Sequence, residues 1–465
     1  MKKYIKLIAA TYLLWFCASC SEEFLEIAPS DALPPAEALR TVNDMRTVLL
    51  GVYSQLQNSD YYGRYFILVP DVMSDDVKQN ASANRASEWA EYNGNDLDFI
   101  PEEIWTEVYE AINRANTIIN AKIDINESTQ ALADQYLGEA YTLRALGHFD
   151  LVRIYAQHYQ FSAGANHLGV PIVTAFDQNA EPARASVAEV YAAVVSDLTT
   201  AISLLNQDRG KGFVSPAAAN AILSRVYLYM DDMQKAAEFA TKAIDDPNTD
   251  LTSGDAYLGT WMNNSFSPDA IFDVVMTEAD NLGGDALGRM YINEGYGDYL
   301  PAEDLLNLLD TMDVRSQLFK EDETIGGVYG SLRMNKFPSI TGEDHTPVIR
   351  LAEMYLIRAE ARAKLGDEAG AIEDLMTIRS RAWASAPEVT ASGQELLDEI
   401  ALEKRRELMF EGHRLWELMR HQQSVIRTDC TAPVCEITYP NDRFVLPIPQ
   451  QELNANPNIE QNEGY

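Results

Sequence analysis

The chain has 465 residues, 46% of them hydrophobic, enough for a large core in a globular protein of two or three domains or one large helical one. Its 36 basic and 71 acidic residues give a net charge of −35, which makes nucleic acid and anionic lipid headgroups poor partners. Such a surface serves solubility first, and suits a neutral or cationic ligand second.

In chain order, the first segment reads as an address. Lys2, Lys3 and Lys6 supply a positive start, and Ile5 to Phe16 is an apolar run of signal-peptide length, too short to span a bilayer. Small Ala18 and Ser19 precede Cys20, an arrangement that resembles a bacterial lipobox, with Cys17 where Leu is usual. Residues 1–19 are therefore expected to be removed and Cys20 to be acylated, leaving a net charge of about −38. Ser21, Glu22 and Glu23 resemble a lipoprotein surface-export signal.

Helical periodicity dominates most of the chain beyond this leader. Ile104, Val108, Ala111, Ile112, Ala115, Ile118 and Ile119 recur at three- and four-residue steps between Glu102 and Lys122. Further helices are expected from about Gln130 to Tyr159, from Ser186 with Glu189 closing a capping box, and from Ser215 with Pro216 in the first turn. Residues 215–247 form a helix, an Asp231-Asp232 turn and a helix, and 349–382 repeat the shape around Gly366-Asp367. Units of about 33 residues with Ala at close-packing positions resemble tetratricopeptide repeats. Between them, 248–346 is rich in Gly, Asn, Asp and Pro and reads as loops and hairpins, with a strand-like piece at Ile271 to Met276.

The parts are thus a leader (1–19), an N-terminal helical region (20–247), a loop-rich insertion (248–346) and a C-terminal helical region (347–465) sharing one body with the first. Only Cys430 and Cys435 remain once Cys17 and Cys20 are spoken for, and an exported chain makes a local disulfide between them the expectation.

Several runs resemble the SusD/RagB family: GEAYTLRALGHFDLVRIYAQHY at Gly138 to Tyr159, PVIRLAEMYLIRAEARAKLGD at Pro347 to Asp367, EKRRELMFEGHRLWELMR at Glu403 to Arg420, and LPIPQQELNANPNIEQNEGY at Leu446 to Tyr465. Lys404, Met376 and Glu417 depart mildly from the family pattern. The resemblance implies a mostly α fold, a tetratricopeptide-like hairpin scaffold with an irregular insertion. It also implies a surface-exposed outer-membrane lipoprotein, held by lipid at Cys20, that captures a nutrient for a SusC-like TonB-dependent transporter. An oligosaccharide is the expected ligand, and a peptide the alternative within the family.

The residues point to binding rather than catalysis. Glu403, Glu407 and Glu411 stand four apart with Arg406 and Arg414 nearby, a pattern of helix-fixing ion pairs rather than a glycosidase dyad. A cell-surface hydrolase and a pure protein scaffold are the readings from other classes. No cofactor is indicated, and carboxylates are too numerous to single out a cation site. Sugars are held by aromatic platforms and flanking polar groups. In Asp71 to Asn95, Trp89 and Tyr92 are the stacking candidates and Arg85 and Asn95 the hydroxyl contacts, with anchoring of the loop the other role open to Trp89. In the insertion, Tyr291 and Tyr296 lie among glycines.

Overall fold

The computed structural model describes residues 39–81, 83–263, 265–292, 295–321 and 332–465; the leader and Cys20 lie outside these. Helix α1 (Val42–Leu56) starts at a capping box in which Thr41 Oγ1 accepts from Asp44 N at 3.2 Å and Asp44 Oδ2 accepts from Thr41 N at 2.8 Å. Helix α2 (Tyr65–Val72), strand β1 (Val77–Gln79) and one turn, α3 (Ser87–Ala90), lead to α4 (Phe99–Ile119) and α5 (Gln130–Tyr155). The expected apolar face of α4 is buried from Ile104 to Ile118, and the helix starts earlier than its periodicity, with Pro101 in its first turn.

Helices α6 (Val187–Leu204) and α7 (Pro216–Tyr229) begin at the capping signals in the sequence. Ser186 Oγ accepts from Glu189 N at 3.3 Å, Glu189 Oε2 accepts from Ser186 N at 2.8 Å, and Ser215 Oγ accepts from Ala218 N at 3.1 Å. The turn into α8 (Met233–Ile244) puts Asp231 at φ 62°, and Asp232 caps the new helix by accepting from Lys235 N. After α9 (Gly254–Met262) come β2 (Ala270–Val274), β3 (Tyr299–Pro301), α10 (Glu303–Leu306), β4 (Phe319–Glu321), β5 (Leu332–Met334) and β6 (Thr346–Arg350). The C-terminal part holds α11 (Leu351–Lys364), α12 (Glu368–Ala382), α13 (Gln394–Glu407), α14 (Arg414–Arg420), the β7 (Val425–Ile426) and β8 (Glu436–Ile437) hairpin, and α15 (Gln450–Ala455). Ile349, expected at the head of a helix, belongs to β6 instead, because it pairs with Phe272 of β2.

The fold is mostly helical, and its long helices stack in one series: α1, α4, α5, α6, α7, α8, then across the insertion α11, α12 and α13. Glycine permits one of the closest approaches: a Cβ at Gly147 of α5 would sit 2.8 Å from Ile112 Cγ1 of α4. One hydrophobic core runs from Leu39 to Ile459, and a smaller one lies between α11, α12 and α13. The insertion leaves and rejoins the stack at the antiparallel β2–β6 pair, both strands fully buried, where Arg225 of α7 donates to Val348 O at 2.7 Å.

The Glu403, Glu407 and Glu411 stripe is a buried ion network. Glu403 meets Arg315 (2.8 Å), Arg379 (2.9 Å) and Arg406 (3.1 Å), and Glu411 meets Arg350 (2.7 Å) and Lys336 (2.5 Å). Glu407 takes Arg350 at 2.9 Å and Arg381 at 2.8 Å. Burial pushes the Glu407 carboxyl up, but Arg381, Arg350 and Arg315 pull it further down, well below the usual range. These three carboxylates are engaged by cations and unavailable for acid–base chemistry.

Candidate functional site

Two clusters far apart in the chain meet through a short main-chain clip. Strands β1 and β3 pair antiparallel, with Val77 opposite Pro301 and Gln79 opposite Tyr299. The ladder continues on both sides, since Asn80 N donates to Asp298 O at 2.8 Å and Ala302 N donates to Asp76 O at 2.9 Å. Buried Asn80 adds a bond from Nδ2 to Gly297 O at 3.0 Å, and Tyr299 Oη donates to Arg85 O at 2.7 Å.

This clip brings Arg85 and Tyr296 together. The Arg85 guanidinium carbon lies 3.3 Å from the centroid of the Tyr296 ring, and Arg85 Nη1 donates to Asp298 Oδ2 at 3.0 Å and to exposed Asn84 Oδ1 at 3.2 Å. Arg289 approaches the same ring at 5.5 Å, and its carbonyl receives Tyr296 N at 2.7 Å. Burial pushes the Asp298 carboxyl up and Arg85 opposes it. Arg85 and Tyr296 are both half-buried. The result is a guanidinium–phenol stack braced from beneath by a carboxylate. Its exposed groups can donate to and accept from hydroxyls, and its flat faces can lie against C–H groups.

The other candidates are placed differently. Trp89 is 1% exposed, and a Cβ at Gly94 would fall 2.6 Å from its ring, so it anchors the loop and offers no platform. Tyr92 is turned inward, its hydroxyl bonded to Met73 O and its ring edge-on to Phe444 at 6.4 Å. Tyr291 is also 1% exposed, with Oη donating to Asp71 Oδ2 at 3.2 Å and its ring against Phe410. The corrections at Trp89 and Tyr291 share a cause: each ring gains more from apolar burial than from standing in water, while Tyr92 stays half-buried. Asn95 is exposed, but its side chain is used locally, bonding Asp98 Oδ1 at 3.2 Å and accepting from Leu97 N at 3.0 Å. Cys430 and Cys435 form a disulfide across the β7–β8 loop, with Cα atoms 5.4 Å apart. Sequence reading missed the part played by Asp298 and Asn80; their partners lie more than two hundred residues away, and no local pattern marks them.

Glu360, Glu417 and His421 put three donor atoms within 4.8 Å of one another. Arg420 and Lys404 already bridge the two carboxylates, at 2.7 and 2.6 Å to Glu360 and 2.9 and 3.5 Å to Glu417, so the group is an ion network rather than a cation cage.

The fold is a stacked helical-hairpin scaffold carrying a loop-rich insertion. A family model described as "SusD family" matches residues 333–465, and one described as "Starch-binding associating with outer membrane" matches 23–228. A sugar-binding protein of Bacteroides vulgatus, so described on a provisional basis, superposes with a TM-score of 0.84 at 30% identity, over 92% of this chain and 99% of that one. A SusD superfamily protein of Bacteroides thetaiotaomicron gives 0.83 at 30% identity, over 91% and 99%. SusD-like protein P38 of Formosa agariphila is 26% identical with both chains covered in full (100%). The chain belongs to the SusD family of carbohydrate-binding proteins that associate with the outer membrane.

Proposed function

We propose that this protein captures an extracellular oligosaccharide and passes it to a SusC-like TonB-dependent transporter, while anchored to the outer membrane by lipid on Cys20 and facing outward. The observation that carries the reading is the Arg85–Tyr296 stack braced by Asp298, on loops that the scaffold holds at a fixed junction. Nothing in that junction calls for a bond to be broken: its roles are to stack and to hydrogen-bond. The sugar-binding description of a structural neighbour supports a glycan as ligand.

Isothermal titration calorimetry of the Ser21 to Tyr465 chain against a panel of neutral oligosaccharides tests this. One glycan class is expected to give saturable heat, and Arg85→Ala and Tyr296→Ala are each expected to weaken it about tenfold, the worth of one stacking or cation–π contact. Tyr296 is half-buried, so its removal should move the melting temperature by no more than about 2 °C, whereas Arg85→Ala also strips buried Asp298 of its cation and should lower it further. Heat with peptides alone would redirect the reading to a peptide ligand, and wild-type affinity in both variants would remove the site.

A further inference from the structure

A groove of about 440 Å³, sharing no lining residue with the Arg85–Tyr296 stack, lies between α4 and the 171–182 loop. Its floor is one face of α4, where Trp105 and Tyr109 stand four residues apart with ring centroids at 4.9 Å and planes at 55°. The facing rim carries Phe176, 68% exposed. Asn113, one turn beyond Tyr109, also lines the groove, but its Oδ1 is buried and has no hydrogen-bond partner. The remaining polar lining includes the carboxylates Glu110, Asp177 and Glu452.

The loop wall is held from two sides. From α4, Tyr109 Oη donates to Pro171 O (2.8 Å), Asn116 Nδ2 to Val173 O (3.0 Å) and Asn120 Nδ2 to Thr174 O (2.8 Å). From the segment after α15, Asn456 Nδ2 donates to Pro182 O (2.9 Å) and Asn458 Nδ2 to Glu181 O (2.8 Å). Five side chains spent on the carbonyls of one loop fix the groove before any ligand arrives, which lowers the ordering cost of binding.

We propose that this groove is a second saccharide site, taking a neutral stretch of glycan. Exposed Phe176 and half-buried Tyr109 suit the C–H faces of a sugar, with Trp105, 5% exposed, backing the Tyr109 ring. The carboxylate rim accepts hydroxyl hydrogens and repels uronates, sulfates and phosphates. Two sites on one chain would let a long glycan be held at two points, raising avidity without any new contact at either.

The test uses the full Ser21 to Tyr465 chain carrying Tyr296→Ala, so that the first site is weakened. Saturation-transfer NMR is run with neutral hexasaccharides of α-1,4-glucan, β-1,3-glucan and β-1,4-mannan. At least one should still bind saturably, and adding Phe176→Ala should weaken it at least tenfold. Phe176 is exposed, so its removal leaves the fold standing, and an unchanged circular-dichroism melt verifies that. The hexasaccharide bearing glucuronate in place of glucose should bind at least tenfold more weakly than its neutral counterpart. No saturable signal in the Tyr296→Ala chain, or the same signal with and without Phe176, overturns the proposal.

Discussion

His148 is engaged at both ring nitrogens: Nδ1 faces Arg144 O at 3.1 Å and Nε2 accepts from Val173 N at 3.1 Å, so the proton sits on Nδ1. Burial lowers its pKa to about 4. The unfolded chain takes up that proton near pH 6.5 and the folded chain only near 4, so stability falls as pH drops through this window. From pH 7 to pH 5 the contribution is about 2 kcal/mol, readable as a fall in the urea midpoint, and His148→Gln should show a smaller fall. His158 and His413, also lowered to about 4, act in the same direction, so the difference between the two proteins isolates His148. At this scale the sequence was only half legible. Composition marked Trp89, Tyr92, Tyr291 and Tyr296 alike as rings among polar neighbours, yet Gly94 and Asp71 hold Trp89 and Tyr291 inside the fold, while Tyr92 and Tyr296 both stay half-buried, Tyr92 with its hydroxyl tied to Met73 O. Which ring is spent on packing depends on residues that reach it through the fold, and spacing along the chain does not carry that.

Helix α13 and the turn after it commit three carboxylates to cations from four other segments. Arg315 follows α10, Lys336 follows β5, Arg350 closes β6 and Arg381 ends α12, so the network pins the insertion to the C-terminal helices. With Arg315 0% and Arg350 1% exposed, removing a single partner leaves buried charge without compensation. Glu407→Gln is therefore expected to destabilise the protein by about 3–5 kcal/mol in urea melts, and exposed Glu395→Gln on the same helix by less than about 0.5 kcal/mol. Helix starts were legible because caps are local: Ser186 with Glu189 and Ser215 with Pro216 are written within four residues. The charge stripe was legible as ion pairing, and Arg406 does pair with Glu403, but Arg414 turns to Asp75 and the distant partners were not legible. Strands β1 and β3 were missed, because three-residue strands have too little period to be seen and their stability comes from each other.

At the scale of the whole molecule, α8 packs on α11 although about a hundred residues separate them, and one core reaches from Leu39 to Ile459. The two helical regions are thus expected to unfold together. Calorimetry should give one transition, coincident with the loss of near-ultraviolet circular dichroism, and two resolved transitions would mean that the β2–β6 closure fails to couple them. The mostly helical class was legible from periodicity and the family from its motifs; how the insertion lies on the stack was not, since it is fixed by long-range pairs such as Phe272 with Ile349.

The β1–β3 clip has a consequence for how such a protein can change its taste. The junction is made by main-chain bonds at Gln79, Asn80, Asp298 and Tyr299, and the bonds of a ladder are indifferent to most side chains. Residues beyond the clip on either side, around Arg85 and around Tyr296, can therefore be rewritten separately and still arrive face to face. Grafting one loop from a relative with a different ligand should preserve the meeting point while altering what is held there, which makes the site modular in a way that a pocket built from packed core residues is not.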